Sequence, residues 1–116
     1  MIEKWIAEIK KGSDFKDLGM FLIHNGVVRA TSKDGKIVKG MNLSYDREIL
    51  DSLMDNFRKR EGIVAIKVWI NEGTLKVGDD IMYVLVAGKL RTYVLPALQE
   101  LVSKIKEEVV FETEFF

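Results

Sequence analysis

Two apolar runs constrain this chain more than any other feature: "IVAIKVWI", residues 63–70, and "IMYVLVAG", residues 81–88, separated by the glycine-punctuated "NEGTLKVGDD". Both are rich in β-branched residues and too short for long helices, so they read as two strands flanking a connection. A third run, "GMFLIHNGVV" at 19–28, has the same character and reads as a mostly buried strand interrupted by His24. Strands this apolar need cover, and three segments can supply it. Ile2, Trp5, Ile6 and Ile9 recur at helical spacing before Gly12. Ile49, Leu50, Leu53, Met54 and Phe57 share one helical face, with Ser44 or Asp46 as cap and Gly62 as stop. Leu95, Leu98, Leu101, Val102 and Ile105 form the stripe of a last helix that Thr92 would cap, with Pro96 near its first turn. "SKDG" at 32–35 favours a tight reversal, so 36–45 is expected to pair back on 19–28 as a hairpin. The alternating "VVFETEFF" suggests a terminal strand at 111–115. The order α β β α β β α β predicts an α+β fold, with helices flanking a largely antiparallel sheet, and the 116 residues form a single domain, 1–116.

Several function classes are disfavoured at once. Eighteen Lys and Arg balance eighteen Asp and Glu, which leaves no excess positive charge for non-specific nucleic-acid binding. Without cysteine there is no disulfide, thiolate nucleophile or cysteine metal site, and a lone histidine cannot form a histidine cluster. No phosphate-loop template is met, and no cofactor is expected. "MIEKWIAEIKKG" carries charge throughout and has neither a signal-peptide core nor a membrane span, so the expected location is the cytoplasm, with no membrane partner.

The candidate site residues are cations. "AGKLRT" puts Lys89 and Arg91 at the start of the last helix, where the macrodipole is already positive. A bound anion would answer them, and so would a nearby carboxylate; the second is the commoner arrangement. Arg29, beside the basic loop "TSKDGKIVKG", carries the same ambiguity. Lys106 closes the last helix, where a cation complements the carbonyl end. His24 reads as a hydrogen-bonded core or edge residue. Arg91 and Lys106 are fifteen positions apart, about 22 Å along a helix at roughly 1.5 Å per residue. One small ligand can touch both only if two subunits meet.

"GMFLIHNGVVRATSKDGKIVKGMNLSYD", "EGTLKVGDDIMYVLVAG" and "LVSKIKEEV" resemble, in order and spacing over about residues 2–111, the large subunit of molybdopterin synthase, the MoaE family. The matching elements are a G-x-V-R motif, a G-x-L-x-x-G-[DE] connection and a helix ending in an apolar residue followed by lysine. The resemblance implies an α/β-hammerhead-like fold and a homodimer whose pocket is built across subunits. It implies a small ubiquitin-like, MoaD-like partner carrying a C-terminal thiocarboxylate, and a pterin phosphate substrate, cyclic pyranopterin monophosphate. Residue by residue, it makes Arg29 and Arg91 substrate-binding and Lys106 catalytic, and Lys89, placed beside Arg91 at the helix start, is expected to join them in binding the substrate. The chain also departs from the family. Leu90 stands where a histidine usually precedes the helix arginine, Ile70 and Asn71 replace another His-Arg pair, and Thr113 occupies the place of a second lysine in an F-W-K-like segment. The family continues past the position of Phe116 into an arm. Two readings therefore stand: a sulfur-transferring synthase subunit, or a non-catalytic dimeric scaffold that binds anions or partners.

Overall fold

The computed structural model describes residues 1–116. Helix α1 (Ile2–Gly12) is followed by β1 (Met20–Val27), β2 (Gly40–Tyr45), α2 (Arg47–Arg58), β3 (Ile63–Ile70), β4 (Gly73–Lys76), β5 (Asp80–Gly88) and α3 (Arg91–Lys104). A π-helical turn (Ile105–Val109) and β6 (Val110–Phe115) complete the chain. Every expected element is present. The additions are β4, inside the glycine-rich connection, and the π-turn. No helix is long and apolar enough to cross a membrane.

The strands form two three-stranded sheets, ordered β1-β5-β3 and β4-β2-β6, with every pairing antiparallel. This corrects the expected hairpin of 19–28 with 36–45. The tight reversal does form: Gly35 takes φ 82° and a single bridge joins Thr31 to Ile37. Beyond it the two arms separate, β1 joining β5 and β2 lying between β4 and β6. The cause is burial. β1 places Leu22 and His24 on one face opposite Val86 and Val84 of β5, both completely buried, whereas Met41 and Leu43 of β2 are buried with Leu75 of β4.

The β1-β5-β3 sheet is covered by α3 on one face and by α1 over part of the other, where Ile23 and Val27 of β1 remain exposed. Helix α1 lays Ile9, Trp5 and Ile6 over Leu85, Ala87 and Phe21. On the other face, Val94, Ala97 and Leu101 of α3, with Ile105 and Val109 of the π-turn, join Met82, Val84, Val86 and Ile66 in the main core. Each large side chain fully withdrawn from water contributes roughly 1.5–3 kcal/mol. Leu101, Ile105 and Val109 thus anchor the backbone that carries Lys106.

Local signals set the helix ends. The Asp46 carboxylate accepts hydrogen bonds from the Glu48 and Ile49 amides at 3.0 and 3.1 Å, so Asp46, not Ser44, caps α2. Helix α3 starts two residues earlier than a Thr92 cap would allow. Leu90 is its N-cap, with no side-chain capping bond, and Thr92 is helical. Pro96 consequently falls in the second turn, at an exposed position.

Candidate functional site

Lys106 sits in the π-turn rather than at the end of an ordinary α-helix. The Val110 amide donates to the Ile105 carbonyl, which widens the turn, and the Asp46 amide donates to the Val109 carbonyl at 2.9 Å. Ile105 and Val109 both point into the core, while Lys106, Glu107 and Glu108 are turned out to solvent. Glu108 pairs with Lys104 at 3.8 Å, and no carboxylate lies within ion-pair distance of Lys106. Such turns are frequent at functional sites because they re-aim a side chain without breaking the helix.

His24 lies opposite Val84, on the face of the first sheet that α3 covers. Its Nε2 is buried and has no hydrogen-bond partner, alone among the buried side-chain polar atoms. A Cβ added at Gly26, two residues along the same face of β1, would lie 3.5 Å from that nitrogen. Burial holds the His24 pKa below the usual histidine value, and the positive charge of Lys106 lowers it further. The imidazole is therefore neutral at neutral pH. Sequence reasoning set His24 aside as a satisfied core or edge residue; the structure shows it half-buried, with its buried Nε2 unsatisfied. The one local signal was a histidine two residues before the glycine of the G-x-V-R stretch.

Arg29 leaves the sheet just past the end of β1. The Val28 amide donates to the Asp79 carbonyl, and the Gly78 amide to the Val28 carbonyl, both at 2.9 Å. Val28 is buried and Arg29 exposed, so the guanidinium projects from a fixed base. Arg29 thus lies beyond His24 along β1, at the end of the sheet remote from the Gly88–Arg91 corner.

Lys89 and Arg91 occupy that corner. The Lys89 amide donates to the Gly62 carbonyl at 2.9 Å, and the Tyr93 ring packs on Gly62, whose φ of 76° is a conformation that favours glycine. Lys89 lines a cleft of about 440 Å³ with Asp17, Glu61, Gly62, Ile63, Val64 and Tyr93. The ion pairs of the protein involve Arg47, Arg58, Arg60, Lys67 and Lys104, none of them a candidate site residue. No carboxylate stands within ion-pair distance of Lys89 or Arg91, although Asp17 and Glu61 share the cleft with Lys89, and the first turn of α3 holds no acid. The two form a cationic corner at the open N-terminus of a helix.

Within one chain the structure thus sets Arg29 past the end of β1, Lys106 in the π-turn that follows α3, and Lys89 with Arg91 at the opposite end of α3. Thr113 lies apart from both groups. It lines a depression of about 300 Å³ on the outer face of the second sheet, with Asn42, Ser44, Thr74 and Phe111.

Two antiparallel three-stranded sheets, helices on both faces of the first, and a set of unpaired cations define an α+β protein suited to an anionic ligand. The same architecture occurs in molybdopterin synthase from Staphylococcus aureus, at 19% identity and TM-score 0.76 over 90% of this chain and 77% of that one. It occurs in the MoaE protein of Burkholderia ambifaria MC40-6, at 18% identity and TM-score 0.77 over 97% and 74%. It is also found in a complex of subunits 1 and 2 of molybdopterin-converting factor from Helicobacter pylori 26695, at 16% identity and TM-score 0.72 over 97% and 77%. No curated protein sequence matches significantly. The family model of the MoaE protein matches residues 2–108, and the chain belongs to that family. Its role accordingly falls within molybdenum cofactor biosynthesis.

Proposed function

We propose that the protein acts as a molybdopterin synthase large subunit, transferring sulfur from the thiocarboxylate of a small MoaD-like partner to cyclic pyranopterin monophosphate. The observation that supports this reading is that the cations the resemblance singles out, Arg29, Arg91 and Lys106, are exposed and have no carboxylate within ion-pair distance. An unpaired guanidinium suits a phosphate, which it can grip with two parallel hydrogen bonds. In a homodimer, Arg29 and Lys106 of one subunit face Arg91 of the partner subunit across a shared pocket, and Lys89 adds to the positive potential beside Arg91. The arginines hold the substrate phosphate. Lys106 acts on the thiocarboxylate as a proton donor or as a nucleophile at its carbonyl carbon, both roles open to an amine. On this reading the chemistry proceeds in the cytoplasm.

One observation favours a second reading, a non-catalytic scaffold that keeps the dimer and binds anions or the partner. Thr113 stands where the family resemblance calls for another lysine, and its strand presents a polar depression instead of a cation. Reconstitution with a thiocarboxylated small subunit and the pyranopterin, followed by detection of the dithiolene product, separates the two. Product above the protein-free background supports the synthase. Its absence, with an authentic synthase working alongside, leaves the scaffold.

A further inference from the structure

Helix α3 carries more apolar surface than it buries. Val94, Ala97, Leu101 and the following Ile105 are fully withdrawn from water, whereas Leu95 is 39% exposed and Leu98 and Val102 are only half-buried. Residue type and period place these leucines in one buried stripe; the structure splits off a second flank. Arg91, Leu95, Leu98, Val102 and Lys106 succeed one another at intervals of three or four residues, so they run along that flank with a cation at each end. The opposite flank of α3 is occupied, since Glu100 pairs with Arg60 just past the end of α2. The free flank lies on the side of β1, the edge strand of the sheet that α3 covers.

The spacing along this flank is symmetric. Leu95 stands four residues after Arg91 and Val102 four before Lys106, with Leu98 near the middle. We propose that the flank is a dimer interface: α3 packs antiparallel on α3 of a second copy about a two-fold axis passing beside Leu98, so that Leu95 meets Val102 of the partner subunit and Arg91 comes to Lys106 of the partner subunit. A two-fold contact must be self-complementary, and this flank presents an apolar centre between two cations in either direction. A parallel arrangement would instead stack Arg91 on its own copy and leave Lys106 at the far end. Antiparallel packing also brings the basic start of one helix, Lys89 and Arg91, toward the acidic turn of the other, Glu107 and Glu108, and opposes the two helix dipoles. Arg91 and the facing lysine repel each other, so each end of the interface is completed by an anion, and phosphate bound there stabilises the dimer by mass action. This inference rests on the reading of a pocket shared by two subunits, but it does not require that any sulfur be transferred.

The chain has no cysteine, so a thiol can be placed at one position at a time. Mild oxidation should link Leu98→Cys into a disulfide-bonded dimer. Leu95→Cys and Val102→Cys should each stay unlinked alone and form a mixed dimer when refolded together. Leu95→Glu, at an exposed position, should keep the wild-type circular dichroism yet sediment as a monomer at the micromolar concentration where the wild type is dimeric. Phosphate should shift the wild type toward the dimer more than chloride at matched ionic strength, and Arg91→Ala should lose that shift. A wild-type dimer that survives Leu95→Glu and gives no Leu98→Cys crosslink places the interface elsewhere and overturns the proposal. A wild type that stays monomeric in both salts overturns it together with the shared pocket. A dimer that crosslinks as expected but forms no dithiolene product leaves the interface standing and defeats the synthase reading alone.

Discussion

Arg91 and Lys106 stand at opposite ends of one helical run, the first opening α3 and the second held in the π-turn that follows it. Their separation is about 22 Å at roughly 1.5 Å per residue, beyond the reach of a small phosphate ester within a single chain. A site that uses both must draw them from two copies. The protein is therefore expected to be a stable homodimer, and light scattering at micromolar concentration checks it. A monomer there would remove the composite pocket.

Arg91 has no carboxylate partner and sits at an uncapped helix start, so an anion bound there should stabilise the fold by mass action. Sulfate or phosphate is expected to raise the Tm more than chloride at matched ionic strength. A gain of about 1 kcal/mol corresponds to roughly 4–8 °C for a domain near this size. Arg91→Ala should abolish most of the increment, and a scan of both proteins in the three salts measures it.

Pairing and burial explain what the sequence hid. The turn at Asp34-Gly35 was legible because its chemistry is local, whereas the parting of its arms depends on β5 and β6, which lie far along the chain. Ile105 and Val109 are spaced as in an ordinary α-helix, so nothing in the letters distinguishes the π-turn that aims Lys106 outward. Helix faces and the cationic candidates could be read directly from residue type and period, while the choice of Asp46 over Ser44 as cap needed the structure. His24 could not, since the burial of its Nε2 comes from the packing around Val84, which is far from it in sequence.

Gly62 anchors the corner that holds Lys89 and Arg91, with its positive φ and its backbone against the Tyr93 ring. An alanine there combines an unfavourable backbone conformation with a collision, since Tyr93 must move. Gly62→Ala is expected to cost about 1–3 kcal/mol, read as a lower midpoint in urea. Gly12→Ala, where the added methyl meets open space, is the control and should not destabilise.

Asp80 accepts a hydrogen bond from the Tyr83 hydroxyl at 2.5 Å and another from the Asn25 amide at 3.0 Å. The Tyr83 bond, then that of Asn25, lowers the carboxyl pKa below its ordinary 3.8. A depressed folded-state value means that this stabilisation is present above the ordinary value and is lost as the pH falls through the lowered one. Tyr83→Phe removes the larger cause. The variant should therefore show less loss of stability over that acid window than the wild type. Urea melts of both proteins between about pH 5 and pH 2 test it.

Lys106→Arg separates the chemistry of Lys106 from its place in the structure. The side chain is exposed and lacks an ion-pair partner, so its contribution to the fold comes through the carbonyl end of the helical run. That term is roughly 0.3–1 kcal/mol, and arginine keeps it because the charge is unchanged. Thermal midpoint and dimerisation should match the wild type. A reacting amine is different: it must give up a proton or present a free electron pair, and a guanidinium does neither at neutral pH. Misplacing or removing a proton-transfer group ordinarily costs about 100-fold or more in rate. Lys106→Arg is thus expected to bind the pyranopterin and the small subunit as before while sulfur transfer falls by about that factor. Arg29→Lys should behave differently, weakening substrate binding through loss of the two-pronged phosphate contact and leaving turnover at saturating substrate less affected. Comparable turnover of Lys106→Arg and wild type would show that the reacting amine lies elsewhere, and the π-turn would then serve only to close α3 against β6.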